Sequence, residues 1–215
     1  MLLRAAVEYA AAKIYAPVFE VIAHKYILHG LGKDKDSEWS FHWHGHHKTV
    51  RKDGMLDEDY FGPILANSSA QKEIKALAGV TLLHLLLFPF FPVFAVTTAV
   101  HAGKYYYKHY KCHTEVEYAF DHLPHHVKHH VVDQDANWGV TSDLVDRIIG
   151  TATEVDDEEW ARLREFYTKR AERARPRIEA AAAERKEAYQ QKLKDSLENI
   201  TEKLYSFLPE ALKSA

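Results

Sequence analysis

Apolar runs of helical length alternate along this chain with short charged or glycine-rich connections. Residues 2–29 form the first run, and Pro17 predicts a kink or a break within it. The glycines and charges of 30–38 predict a loop, 39–52 predict a second helix with a basic end, and 53–63 are rich in turn residues. The pattern therefore predicts an all-α fold.

The stretch 76–103 is the most apolar part of the chain, with 28 residues that carry no formal charge between Lys75 and Lys104. Its length is typical of a transmembrane segment. Pro89 and Pro92 argue against one straight helix and favour two short helices that meet at the prolines. We expect an apolar hairpin that enters a bilayer and returns; the alternative is a buried hairpin of a soluble helical protein.

The second half of the chain predicts further helices. Residues 104–130 predict a helix with aromatic residues at its start, and Pro124 opens a second one. After a turn, a short helix should end at Gly150.

From 153 to 215 the composition changes to Glu, Lys, Arg and Ala, which predicts a charged C-terminal helical extension to a domain of residues 1–152. Pro176 should divide this extension into two helices. Its apolar positions keep close to the helical period and form one stripe. The stripe is expected to pack on the domain or a neighbour; the alternative is a membrane surface or a partner. The stripe consists of residues 160, 163, 167, 171, 174, 178, 182, 189, 193, 197, 200, 204 and 207.

Net charge and cysteine content narrow the function classes. The net charge of −3 predicts no nucleic-acid partner, and the polar interruptions of the N-terminal run argue against a cleaved signal peptide. Cys112 is the single cysteine, so a thiolate zinc site within one chain is excluded. A metal ion would have to be held by nitrogen or oxygen ligands.

Histidine supplies the candidate chemistry, because 13 of the 15 histidines fall within 24–47 and 109–130. Helix positions three and four apart share a face, whereas adjacent positions diverge by about 100°. The second ring of an adjacent pair should therefore point at a different ion or at a neighbouring group, and two ions are expected because the rings exceed what one ion can use. In "FHWHGHH" the register is open between His42 with His46 and His44 with His47. The candidate metal ligands are His24, His29, His42, His44, His46, His47, His109, His113, His126, His129 and His130.

Imidazole ligands suit zinc, copper, iron or nickel. Two redox metals beside an apolar slot suggest oxygen activation on a lipid chain, whereas two zinc ions would suggest hydrolysis. If the two histidine windows meet, both ends of 76–103 lie on one side of the membrane. The lysines and arginines that flank this stretch then predict the cytoplasmic side.

Four motifs resemble those of the membrane-bound fatty acid hydroxylase superfamily, which includes sterol desaturases. These are "HKYILH" at 24–29, "FHWHGHH" at 41–47, "YYYKHYKCH" at 105–113, and "HHVKHH" with "NWGVTSDLVDRIIGT" over 125–151. Lys108 stands where the family often has aspartate and Val145 where it often has tryptophan. The family usually has two or more full membrane hairpins, whereas one is visible here.

The resemblance implies a non-haem diiron, O2-dependent enzyme that hydroxylates or desaturates a fatty acyl chain, sphingolipid, sterol or carotenoid. Iron is the implied metal, with zinc possible in a purified form. Electrons would come from NAD(P)H through a cytochrome b5- or ferredoxin-type donor, and the metal site would lie on the cytosolic side of a membrane. The residues carried over as the catalytic, metal-binding set are His24, His29, His42, His46, His47, His109, His113, His126, His129 and His130.

The remaining histidines are given other roles. His122 and His125 are expected to support ligands or lie at the surface, and His101 to lie at the membrane interface. His84, in the apolar hairpin, should either face the substrate path or form an interhelical hydrogen bond.

Asn137 and Asp146 are expected to bond the free ring nitrogen of a ligand histidine, with simple capping as the alternative.

A second functional hypothesis is a non-catalytic, metal-stabilised member of the family that acts as a membrane scaffold or binds a partner through its extension. Lys108 and the reduced membrane part motivate it.

Overall fold

A computed structural model of the chain describes residues 1–66 and 68–207, and these residues form helices and turns with no strand among them. This confirms the all-α prediction. Residues 208–215 of the expected extension lie outside the description. The elements are α1 (Leu2–Ile22), the π-helical segments π1 (Ala23–Leu31) and π2 (Phe41–His46), α2 (His47–Lys52), two 3-10 turns (Glu58–Tyr60 and Ile64–Ala66), α3 (Ser68–Leu85), α4 (Pro92–Thr114), α5 (Val116–His122), α6 (Pro124–Val131), α7 (Leu144–Ile149) and α8 (Asp157–Phe207).

Helices α1, α3 and α4 form a three-helix layer in which α1 runs parallel to α4 and antiparallel to α3. Near its start, α1 contacts the start of α4 through a hydrogen bond of 2.9 Å from the Val93 amide to the Glu8 carboxylate. Near its end, the Glu20 carboxylate lies 2.7 Å from His101 Nε2. This arrangement places π1 and the histidine-bearing end of α4 side by side.

The predicted hairpin is present. Helix α3 ends at Leu85, and α4 begins at Pro92, where proline at the first turn costs no hydrogen bond. The connection exposes a cluster of large apolar side chains together with the start of α1, and we call this cluster the apolar tip. None of the described helices combines the length and the apolar character needed to cross a bilayer. The apolar tip consists of Leu2, Leu3, Leu82, Leu83, Leu86, Phe88, Phe90 and Phe91.

The first half of α8 belongs to the hydrophobic core of the histidine domain. Its buried side chains include Tyr167, Ala171 and Ile178, which pack with residues of α2, α4, α5 and α6. The helix lies so close to the turn at Gly54 that a Cβ there would come within 2.3 Å of the Ala171 amide nitrogen, and Gly54 also has a φ of +71°. The expectation that the stripe packs on the domain is confirmed as far as Ala182, which is buried, whereas Leu193 and the apolar residues after it are exposed.

The prediction that Pro176 divides the extension is wrong, because α8 is one helix from Asp157 to Phe207. Proline in a helix interior costs about 3 kcal/mol. Contacts on both sides of it offset this cost: Ala174 and Ile178 are buried, and Arg177 bonds the Asp53 carboxylate at 2.7 Å. For a similar reason Pro17 does not break α1, since Ala16 and Glu20 are buried on either side of it.

Candidate metal centre

The local backbone explains the five-residue spacing of His24 and His29. In an α-helix, residues five apart point about 140° away from each other. Segment π1 instead has the wider π-helical turn, in which residue i+5 lies nearly above residue i. The two rings therefore face the same side, with their centroids 4.9 Å apart. The π-helical turn of π2 brings His42 and His47 together in the same way, at 4.9 Å.

One cluster of five buried histidines, site 1, joins three separate parts of the chain. Its Nε2 atoms converge: that of His42 lies 3.0 Å from that of His24 and 3.2 Å from that of His47. The Nε2 atom of His29 lies 3.0 Å from that of His47 and 3.2 Å from that of His129. Site 1 consists of His24, His29, His42, His47 and His129.

A second cluster of buried histidines, site 2, adjoins the first. The His126 Nε2 atom lies 3.2 Å from that of His113 and 3.1 Å from that of His130. The Nε2 atoms of His46 and His109 are buried and lack a hydrogen-bond partner in the described structure. Site 2 consists of His46, His109, His113 and His130, whose ligand atoms lie within 4.8 Å of one another, together with His126, which adjoins His113 and His130.

Adjacent histidines serve different sites, as the sequence predicted. His46 belongs to site 2 and His47 to site 1, and the same division separates His130 from His129. The two sites are close neighbours, because the ring centroids of His47 and His130 are 4.3 Å apart. The structure thus brings all ten residues of the expected catalytic set into one buried centre.

The hydrogen bonds at the opposite ring nitrogen show which way the lone pairs point. The Nδ1 atom of His24 lies 2.6 Å from the Trp138 carbonyl oxygen, and that of His129 lies 2.7 Å from the Ala136 carbonyl oxygen. A carbonyl only accepts hydrogen bonds, so each Nδ1 carries the proton and each neutral ring turns a lone pair on Nε2 into site 1. The His113 Nδ1 atom donates to Met55 O at 2.9 Å in the same way, which turns its Nε2 lone pair into site 2.

Converging lone pairs repel each other unless a cation lies between them. Two nitrogens bound to one ion at about 2.1 Å are about 3.0 Å apart at right angles and about 3.4 Å apart in a tetrahedron. The observed separations of 3.0 to 3.2 Å within site 1 fit five- or six-fold coordination better than tetrahedral coordination. The buried histidines of each site could therefore hold a metal ion.

Two residues with positive φ lie at or next to the carbonyl groups that orient these rings. Met55 and Asn137 are the non-glycine residues with positive φ in the described chain, at 72° and 52°. Such conformations are costly and persist where surrounding contacts impose them. Met55 offers its own carbonyl to His113, and the carbonyls on either side of Asn137 accept from His129 and His24.

Asn137 and Asp146 do not bond a ligand ring directly, so that expectation is wrong. The Asp146 carboxylate accepts hydrogen bonds from the amides of Trp138 and Gly139, both at 2.8 Å. The Asn137 side-chain oxygen accepts from the Thr153 amide at 3.1 Å. Both side chains fix the turn, and the turn's carbonyl groups hold the rings.

Side chains that the sequence reasoning missed contact other ligands. The Nδ1 atom of His109 lies 2.7 Å from both Tyr60 Oη and a Glu73 carboxylate oxygen, and His46 Nδ1 lies 2.6 Å from Asp57. The side-chain amide of Gln134 lies 2.8 Å from His47 Nδ1. Nothing in their spacing distinguished these residues, since acidic and amide residues are common in turn-rich segments.

The other histidines lie outside both sites. His44 Nε2 lies 3.0 Å from the Lys33 carbonyl oxygen, so the structure places His42 and His46, and not His44, among the converging rings. His125 bonds the Val140 carbonyl oxygen at 3.1 Å, and exposed His122 packs on Tyr118. His101, expected at an interface, is instead paired with Glu20.

An apolar cavity of about 140 Å³ lies between α1, α3 and α4 and ends against site 1. Its walls include Phe19, Leu77 and Val80, and His24 and His42 form part of its lining. His84 also lines it and is hydrogen-bonded to Tyr15 of α1 at 3.0 Å, which confirms the expected interhelical hydrogen bond. The cavity and site 1 thus share His24 and His42.

Comparisons of the chain with family models, with curated proteins and with solved structures find no match.

We expect the protein to bind two divalent ions per chain, because its ten buried rings form two sites. His129→Ala removes a site 1 ligand and should lower the affinity for one of the two bound ions at least about tenfold. Competition with a chromogenic chelator, together with metal analysis, measures both ions. His44→Ala is the matched control and should retain both, and a wild-type count below one ion per chain would contradict the assignment.

Burial makes the metal-free centre sensitive to acid. It lowers the pKa of His24 to about 4 and that of His130 well below its ordinary value. The unfolded chain binds protons at these rings near pH 6.5 and the folded chain does not, so acid favours unfolding. We expect the free energy of unfolding of metal-free protein to fall steadily from pH 6.5 to pH 4.

Denaturant titration at several pH values measures this loss. Replacing exposed His122 with Gln should leave the profile unchanged, whereas equal stability of the metal-free wild type at pH 7 and pH 5 would show that the rings titrate freely.

Proposed function

We propose that the chain is an oxygen-dependent oxidoreductase that hydroxylates or desaturates a lipid, using two iron ions held by sites 1 and 2. The observation that carries the proposal is the pair of adjoining histidine sites at the end of an apolar cavity. The motifs that resemble the membrane-bound fatty acid hydroxylase superfamily supply the same ten residues. Bound iron would supply the redox chemistry that activates dioxygen.

The donor set favours a redox metal over a hydrolytic pair of zinc ions. Zinc typically takes four ligands in a tetrahedron, whereas site 1 offers five nitrogens at separations suited to higher coordination. The nearest carboxylates, on Asp57 and Glu73, contact the Nδ1 side of their histidines and so face away from the converging Nε2 atoms. Imidazole nitrogen suits iron.

The chain's own residues place the substrate and exclude water. The apolar walls of the cavity would hold an alkyl segment against His24 and His42, and their shape would select which carbon reaches the centre. Hydroxylation replaces a C–H bond with C–OH; the second oxygen atom of O2 leaves as water with two electrons and two protons. The electrons would come from NAD(P)H through a cytochrome b5- or ferredoxin-type donor.

The apolar tip supports a membrane location in which the hairpin enters one leaflet without crossing it. Large exposed apolar patches mark contact surfaces, and Phe88, Phe90 and Phe91 lie together in the connection from α3 to α4. Arg4 lies at this tip and donates hydrogen bonds to Glu8 and to the Phe90 carbonyl oxygen. These bonds would lower the free-energy cost of placing Arg4 in a bilayer. The metal sites at the far end of the layer would then face the cytoplasm.

A second candidate function is a metal-stabilised scaffold, favoured by the exposed apolar positions on the last part of α8. Leu193, Leu197, Ile200, Leu204 and Phe207 are spaced four and three apart and lie clear of the core. Such a stripe is typical of partner-binding helices.

Turnover distinguishes the two functions. Protein loaded with Fe(II) and given a lipid extract in vesicles, NADPH, a cytochrome b5 reductase system and ¹⁸O₂ should form a lipid with one ¹⁸O atom or with two hydrogens fewer. His129→Gln should reduce product at least about a hundredfold because it removes a metal ligand, and His44→Gln should not. Iron-loaded protein that forms no product from any lipid of the extract would favour the scaffold.

Membrane association has a separate test. The combined change of Phe88, Phe90 and Phe91 to Ser removes apolar area from the tip and should lower vesicle binding in flotation at least about tenfold. The control combines Leu197→Ser with Ile200→Ser, which removes exposed apolar area from α8 instead. Equal flotation of the tip variant and the wild type would show that the apolar tip does not contribute to membrane binding.

A further inference from the structure

One hydrogen-bonded pair of polar side chains stands in the wall of the cavity, whose lining also includes Glu20, Glu73, Thr98 and His101. Tyr15 of α1 and His84 of α3 both line it, with the tyrosine oxygen 3.0 Å from His84 Nε2. The His84 Nδ1 atom lies 2.7 Å from the Val80 carbonyl oxygen. Around the pair are apolar groups such as Phe19 and Phe94, whose rings lie within 5.7 Å of the Tyr15 ring, centroid to centroid.

The hydrogen bonds determine what this pair can still offer to a ligand. Since the Val80 carbonyl only accepts, His84 Nδ1 carries the proton, and the neutral ring's Nε2 must accept the proton of the Tyr15 hydroxyl. Tyr15 then has no proton left to donate, but its oxygen keeps a lone pair. The pair therefore accepts a hydrogen bond from a ligand O–H and offers none to an ether or ketone oxygen.

The distance from the metal end defines the length of such a ligand. Tyr15 precedes His24 by nine residues along the helix of α1 and π1, which is about 14 Å at 1.5 Å per residue. His84 follows Glu73, which contacts His109, by eleven residues of α3, or about 16 Å. At about 1.2 Å of advance per bond in an extended chain, this corresponds to roughly 11 to 14 bonds.

We propose that Tyr15 and His84 bind the hydroxyl group of an elongated lipid alcohol and fix which of its carbons reaches the histidine sites. The oxidation of that carbon rests on the proposed function, whereas the binding of the alcohol does not. A polar pair in the cavity wall that accepts from a hydroxyl discriminates against an analogue without one, because such a ligand leaves the acceptor unpaired.

Binding to zinc-loaded protein tests the site without turnover. Hexadecan-1-ol and cholesterol, each paired with its own methyl ether, compete with a fluorescent fatty alcohol. We expect the wild type to prefer at least one alcohol over its ether by about fivefold, the worth of one net hydrogen bond. The two pairs distinguish a flexible chain from a rigid ring system.

Two variants separate ligand binding from a structural role. Tyr15→Phe removes the acceptor and should abolish the preference by lowering the affinity for the alcohol. His84→Leu frees the tyrosine proton for donation, so it should abolish the preference by raising the affinity for the ether. Tyr9→Phe, an exposed tyrosine of the same helix outside the cavity lining, is the matched control and should keep the wild-type preference.

The proposal is overturned if the wild type binds no probe, binds each alcohol and its ether equally, or keeps its preference in Tyr15→Phe. These results are independent of catalysis. Alcohol selectivity without any oxidation by iron-loaded protein would retain this site and remove the oxidase function. Oxidation of alcohols and ethers alike would retain the function and remove this site.

Discussion

Imidazole nitrogens that face each other across 3.0 to 3.2 Å are the constraint on which the rest of this structure depends, and at His24 and His129 a carbonyl on Nδ1 leaves the inward nitrogen unprotonated. Buried neutral rings cannot satisfy one another when each turns a lone pair inward, and protonated rings would repel. A bound cation would make the arrangement favourable. The ten histidines come from π1, π2, α2, α4 and α6, so this one requirement links five segments of the chain.

The surroundings of the sites hold the rings in that orientation. Carbonyl groups at Met55, Ala136 and Trp138 fix three protons on Nδ1, and two of the chain's strained backbone positions lie at these carbonyls. The buried Asp146 side chain contributes by ordering the turn that carries two of them. The two residues with positive φ and the buried Asp146 side chain thus lie where they set the orientation of the histidine rings.

The cavity and the tip extend the same helices in the other direction. Because α1 and α4 run parallel, the start of α1 lies at the apolar tip with the connection that precedes α4, and π1 lies beside the histidine-bearing end of α4. A lipid entering from a leaflet would meet the Tyr15–His84 pair before reaching site 1. Under the proposed function, chemistry, substrate selection and membrane contact would follow one another along a single axis of the layer.

The sequence by itself determined the helical class, the hairpin at the prolines and the division of adjacent histidines such as His46 and His47, because all three follow from local period and backbone chemistry. Tertiary structure decided the rest. The π-helical turns that align His24 with His29, the uninterrupted α8 across Pro176 and the carbonyls that orient the rings depend on contacts between distant segments. Packing and hydrogen bonds with distant residues override local preference at those positions, and no local pattern records them.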